Sequence, residues 1–283
     1  MSHSSELEMI RFIQEYRTPF LDEFFKFLNY FDRPEFFFVL VPMIWLGKGW
    51  KWGFRLFYIL FLCSLAIHGL KDLFHLPRPF HVDPSVALIH VNGYGLPSGA
   101  AASSILLSGL MINYWKSRWK WCVAIVYVAL VSFSRIYLGV HYFTDLLGGW
   151  IVGLSFWALF TYVRRPLEKR LEKLKPLTLF CLSQLIPIAI LFWHYSINTF
   201  GAMGLGIGLF LNYSYGWSLP PSKTTQQFIT RAAIGVIGTF LWYSLMKLMP
   251  LPKTPFMMFW QSLLLSLWIT TGSLLLCRKL KLA

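Results

Sequence analysis

The chain has 283 residues, 56% of them hydrophobic and only 13% charged, with a mean hydropathy of +0.55. These values exclude an ordinary soluble domain and describe an integral membrane protein. The net charge of +14 raises nucleic acid as a partner, but the basic residues sit in the connections between apolar runs, so the excess reads as a topology signal and nucleic acid is set aside.

The first residues contain acids and no apolar h-region, so a cleaved signal peptide is not expected. Over residues 6 to 31, Leu7, Ile10, Ile13, Phe20, Phe24 and Phe27 recur at helical spacing with charges between them. This pattern predicts an amphipathic helix lying in the outer interface, an anchor rather than a span. Apolar runs follow at about 35–49, 53–74, 97–115, 119–139, 145–163, 177–195, 198–216, 229–249 and 256–276, each near the length that crosses hydrocarbon. The expected fold is an all-α polytopic transmembrane helical bundle of about nine spans, with the interfacial helix before it.

Segment 1–33 is then the interfacial part and 34–163 a catalytic membrane core. Residues 164–176 form a basic, solvated cytoplasmic linker, and 177–283 a four-span support region. Basic residues concentrate around 48–55, 116–120 and 164–175 and at the C-terminus, which predicts a cytoplasmic C-terminus and an extracytoplasmic or lumenal N-terminus. In the rear region Gly201, Gly204, Gly206 and Gly208 have no preceding strand, so a nucleotide loop is excluded. Gly204-x3-Gly208 predicts close helix packing instead, within the chain or in a homodimer through helix 201–216. Cys63, Cys122, Cys181 and Cys277 lie in apolar stretches without C-x2-C spacing, so they read as small buried residues and neither a disulfide framework nor a metal site is expected.

Three short stretches carry the chemistry: Lys71-x6-Arg78-Pro79, Pro97-Ser98-Gly99-Ala100 and Ser134-Arg135-x5-His141-x3-Asp145. All three fall on the outer face under the topology above. Arg78 and Arg135 offer planar forks matched to phosphate oxygens, and Lys71 adds a compact charge. A helix opening after Ser98-Gly99 presents free N–H groups and a positive dipole end to an anion, with the Ser98 hydroxyl as a further donor. His141 and Asp145, four residues apart, share one helix face. A carboxylate there holds one ring nitrogen as a donor and leaves the other's lone pair for phosphorus.

These spacings resemble those of the type 2 phosphatidic acid phosphatase superfamily, the lipid phosphate phosphatases, over roughly residues 60 to 160. The first and third motifs match without a gap, and the second matches in three of four residues. Nine spans and an outer N-terminus look more like the sphingosine-1-phosphate phosphatase and glucose-6-phosphatase branches. The resemblance implies a metal-independent phosphoric monoester hydrolase that needs no cofactor and acts on a lipid phosphate within the bilayer. It also implies a phosphohistidine intermediate on His141, with Asp145 orienting it and Lys71, Arg78, Ser98, Gly99 and Arg135 holding the phosphate.

The departure is Ala100, where the family carries the histidine that acts as general acid. Such a group contributes about 10² to 10⁴ in rate, so the chain as it stands is expected to be nearly inactive on alkyl phosphates. The intact remainder of the motifs favours an introduced substitution, an inactive mutant, over a natural pseudoenzyme. His75, His81 and His90 share the outer loop but read as loop histidines. The alternatives are a non-catalytic lipid-phosphate binder, a polyprenyl diphosphate or sugar phosphate phosphatase, and a transporter, which would place charges near mid-membrane.

Overall fold

The computed structural model describes residues 3–192, 196–249 and 254–282, and among them every regular element is helical. In chain order these are α1 (His3–Glu15), α2 (Pro19–Leu28), α3 (Pro34–Lys48), α4 (Trp50–Phe74), the short α5 (Pro79–Val82), α6 (Gly99–Tyr114), α7 (Lys120–Tyr137), α8 (Phe143–Leu171), α9 (Pro176–Leu191), α10 (Ile197–Ser214), α11 (Thr225–Leu248), α12 (Pro255–Leu267) and α13 (Ser273–Lys279). A 3-10 turn, Asn29–Asp32, follows α2, and a π-helical stretch, Trp268–Gly272, joins α12 to α13.

Each of the nine apolar runs is helical, the end of the run 177–195 lying outside the described residues. Among the described residues, five stretches are long and apolar enough to cross a membrane: Trp50–Val82, Lys120–Tyr137, Phe143–Leu171, Thr225–Leu248 and Pro255–Lys279. Gly99–Tyr114 and Pro176–Leu191 are shorter apolar helices. The protein is a multi-pass membrane helical bundle.

The chain forms two compact units, Met1–Phe36 with Leu62–Pro166, and Phe37–Phe61 with Leu167–Ala283. The first holds every motif residue. Its N-terminal segment is two helices rather than one, because Pro19 forces Thr18 into extended backbone (ψ 154°) and the Thr18 hydroxyl then caps the Leu21 N–H. Leu7, Ile10, Phe25 and Leu28 join Val140, Tyr142 and Leu146 in one buried cluster. The segment is therefore part of the unit's core as well as an amphipathic surface, whose exposed row includes Phe12, Phe20 and Phe27. Glu6, only 2% exposed, accepts hydrogen bonds from the Thr144 N–H (2.9 Å) and hydroxyl (3.1 Å) at the start of α8.

In the second unit, α8 continues through Leu171, so much of the expected solvated linker is helix. Its Glu168 pairs with Arg55 through two bonds of 2.6 and 2.8 Å, and Glu172 pairs with Lys51 at 3.2 Å. The glycine stripe packs within the chain. A Cβ at Gly204 would stand 2.7 Å from Ser266 Cβ, one at Gly208 2.7 Å from Thr270 Cβ, and one at Gly206 2.5 Å from Ser183 Oγ. A homodimer through helix 201–216 is not supported, since its small-residue face is already filled. Arg231, fully buried, donates to the carbonyls of Leu282 (2.7 Å) and Pro220 (2.6 Å), both outside the helices. All four cysteines are free; Cys63 and Cys277 are buried as expected, whereas Cys122 and Cys181 lie exposed on apolar helices.

Candidate active site

The His141–Asp145 pair is positioned by the end of one helix and the start of the next. Helix α7 closes in a Schellman motif, with Gly139 N–H donating to Ile136 O (2.9 Å) and Val140 N–H to Arg135 O (3.1 Å). Gly139 has φ +69°, and a Cβ there would lie 2.0 Å from the Val86 carbonyl oxygen, so only glycine fits. The chain then passes through His141 directly into α8, whose first turn carries Asp145. A second close approach holds α6 beside this turn: a Cβ at Gly149 would stand 2.4 Å from Ser98 O. The Ser98 N–H donates to the Asp145 carbonyl at 2.9 Å.

His141 and Asp145 are 5% and 2% exposed, and His141 Nδ1 lies 3.1 Å from Asp145 Oδ2. That same oxygen accepts from the Tyr142 N–H at 3.0 Å. On the far side of the ring, Arg78 Nη1 stands 3.0 Å from His141 Nε2. A guanidinium only donates, so Nε2 is the acceptor, and Nδ1 carries the hydrogen given to Asp145. Burial, then the charges of Arg78, Lys71 and Arg135, hold the imidazole well below its usual range. His141 is therefore neutral at physiological pH, with a lone pair on Nε2.

The expected phosphate ligands divide into two groups. Arg78, 3% exposed, is braced by the carbonyls of Gly93 (2.8 Å), Val140 (2.9 Å) and Asn92 (3.2 Å) while it touches His141. Lys71 Nζ donates to the carbonyls of Tyr94 and Gly95, the latter at 3.1 Å. A Cβ at Gly95 would stand 2.9 Å from Asp145 Oδ2, so the loop carrying these carbonyls lies against the pair. Arg135 is held apart from this arrangement. Its Nη1 donates to Asn29 Oδ1 at 2.8 Å and lies 3.8 Å from Asp32 Oδ2, and its buried Nη2 has no hydrogen-bond partner among the described residues.

Ser98 is fully buried and caps α6, its hydroxyl oxygen accepting from Ala101 N–H at 3.5 Å. Gly99 and Ala100 follow in the first turn, where backbone N–H groups have no carbonyl a turn back. The Ala100 methyl, 1% exposed, brings no polar atom to the site. Of the loop histidines, His81 Nδ1 accepts from Arg78 N–H (3.2 Å), His75 packs edge-on to Tyr94 and His90 lies against Phe80. Sequence reasoning missed Asn29 and Asp32, which come to Arg135 from more than a hundred residues away. Among the described residues there is no group of three His, Cys, Asp or Glu arranged to hold a metal.

Comparison with known proteins bears on the same residues. Family models match the chain twice: the PAP2 superfamily over residues 52–169, which contain every motif, and the PAP2 superfamily phosphatase transmembrane extension over 198–283. A dihydrosphingosine 1-phosphate phosphatase of Saccharomyces cerevisiae is 26% identical over 261 residues, covering 81% of this chain and 63% of that protein. An undecaprenyl-diphosphatase of Sulfolobus acidocaldarius is 35% identical over 103 residues, 35% of this chain and 49% of that protein. The crystal structure of a transmembrane PAP2-type phosphatidylglycerolphosphate phosphatase from Bacillus subtilis shares the fold, with a TM-score of 0.50 at 22% identity over 61% of this chain and 89% of its own. The chain spans about half to just under two thirds of the length of these two curated relatives. With the two family matches together taking in well over half of its residues, the chain belongs to the PAP2 superfamily.

Proposed function

We propose that this chain is an integral membrane phosphatase that hydrolyses a lipid phosphate monoester of sphingoid, lysophosphatidic or phosphatidic type through a phosphohistidine on His141. The observation that carries the proposal is the alignment of Asp145, His141 and Arg78, with separations of 3.1 and 3.0 Å on opposite ring nitrogens. A neutral histidine with one nitrogen held by a carboxylate and the other aimed at a phosphate-binding cation is arranged to attack phosphorus. Lys71, Arg78 and Arg135, with the N–H groups of Gly99 and Ala100 and the Ser98 hydroxyl, would hold the phosphate oxygens.

In the first half-reaction His141 Nε2 bonds to phosphorus while the bond from phosphorus to the lipid oxygen breaks, and the departing oxygen needs a proton. Water then attacks phosphorus, releasing inorganic phosphate and restoring the ring. The yeast sphingoid phosphate phosphatase, matched over 81% of this chain, supports a sphingoid substrate. The basic loops at 48–55, 116–120 and 164–175 support a site on the extracytoplasmic or lumenal side.

Ala100 favours a second reading, a binder of lipid phosphates that does not turn them over. Incubation with a radiolabelled aryl phosphate, whose leaving group needs no acid, separates the two. The phosphatase reading expects an acid-labile, alkali-stable phosphoprotein that vanishes in His141→Ala. Vanadate binding without any phosphoprotein would leave the binder, and labelling that survives His141→Ala would sink the assignment of the nucleophile.

A further inference from the structure

Asp32 closes the 3-10 turn that packs beside both α6 and α7, in the same unit as the whole site. Its Oδ2 stands 3.8 Å from Arg135 Nη1, and its charge is also felt by Lys71 and Arg78. The carboxylate makes no hydrogen bond among the described residues and keeps 35% of its side-chain surface open. Its neighbours fix the turn: Asn29 is bonded to Arg135 at 2.8 Å, and Phe31 packs edge-on against Phe36 and Tyr127 at 5.2 and 5.6 Å.

An acid paired with one cation of the proposed phosphate site, yet with no hydrogen bond of its own, needs a reason, because as a carboxylate it repels the anion that the site's cations attract. As a neutral carboxylic acid it repels nothing and offers a proton. Position 100 on the adjoining helix is the place where the superfamily's acid is absent.

We infer that Asp32 is the general acid of this site, supplying the proton that Ala100 cannot. The inference rests on the phosphatase reading above. As the bond between His141 Nε2 and phosphorus forms and the bond to the lipid oxygen breaks, the Asp32 carboxyl proton passes to that oxygen, and a neutral alcohol leaves. In the second half the Asp32 carboxylate takes a proton from water as the water oxygen bonds to phosphorus and the bond to His141 breaks. Asp32 ends protonated, as it began. Burial raises the Asp32 carboxyl above its usual range, against the opposing charges of Arg135, Lys71 and Arg78, and a phosphate anion bound beside it pushes the same way.

The experiment compares the full chain with Asp32→Asn in detergent or liposomes, on a sphingoid base 1-phosphate and on an aryl phosphate. The unaltered protein should turn over the alkyl substrate, and Asp32→Asn should lose about 10² to 10⁴ of that rate. Phosphoprotein formation from the aryl phosphate, which needs no proton, should fall less than tenfold. Vanadate should bind Asp32→Asn at least as tightly, since an acid has been removed from beside three cations. Equal losses on both substrates, with weaker vanadate binding, would make Asp32 a positioning residue for Arg135 and overturn the proposal. No alkyl turnover in the unaltered protein, or none lost in Asp32→Asn, would overturn it too. Aryl labelling that survives His141→Ala would instead remove the phosphatase reading itself.

Discussion

Replacing Asp145 by asparagine isolates the charge behind His141 from the shape that holds it. Both donors, His141 Nδ1 and Tyr142 N–H, converge on one oxygen, Oδ2, at 3.1 and 3.0 Å. An amide oxygen in that place keeps both bonds, so the fold and the ring orientation should survive. What disappears is a negative charge facing a ring that becomes cationic as it takes the phosphoryl group. With the charge centres about 4 Å apart and an effective dielectric near 20, that attraction is about 4 kcal/mol, a ceiling of roughly 10³ in rate. Asp145 is 2% exposed, so solvent screens little of it. Single-turnover quench measurements with an aryl phosphate should show phosphoprotein formation slowed about 10²- to 10³-fold, with the melting temperature held within a few degrees. A rate within threefold of the unaltered protein, at unchanged stability, would refute the orienting role.

The depressed His141 ring sets an acid limit. As pH falls through about 6.5, a free histidine takes a proton while His141 in the folded chain does not, so folded stability declines below that point and the proposed nucleophile stays neutral. The acid limb of kcat/KM for aryl phosphate should therefore fall below pH 6.5, and a limb at or above that value would contradict the burial of the ring. Orientation is tested by single cysteines in a chain with Cys122 and Cys181 changed to serine. A cysteine at Asn92 should react with impermeant thiol reagents in sealed cells or vesicles, and one at Pro176 only after the cytoplasmic side is opened; the opposite pattern would reverse the topology.

The parts of the site legible in the sequence are those whose geometry is local. A four-residue spacing at a helix start brings a histidine to a carboxylate, and 3.1 Å is the result. The turn before it needed Gly139, whose positive φ no periodicity announces. Long-range partners were out of reach. Glu6 and Asp32 read as polar residues on an amphipathic anchor, yet one is bonded to Thr144 and the other faces Arg135, because α1, α2 and the 3-10 turn fold onto the core. Segment 164–176 looked like a linker because of its charge, but Leu167, Glu168, Lys169, Arg170 and Leu171 are all good helix formers and Glu168 finds Arg55. The glycines announced close packing without naming a partner, and Ser266 and Thr270 turned out to fill the space. Arg231 falls inside an apolar run, and its burial depends on carbonyls at Pro220 and Leu282, visible only once the chain is folded.

Under the proposed mechanism the contact between Arg78 and His141 acts as a safety catch. The guanidinium lies against Nε2, the ring nitrogen that Asp145 does not hold, at 3.0 Å. Stray electrophiles therefore meet a histidine already engaged. In the proposed reaction a phosphate, with two or three oxygens that bind a guanidinium more strongly than a neutral imidazole does, would draw Arg78 toward itself and uncover Nε2. Recognition of the charged group and arming of the proposed nucleophile would then be one event, and a neutral ester of similar shape would not release the catch.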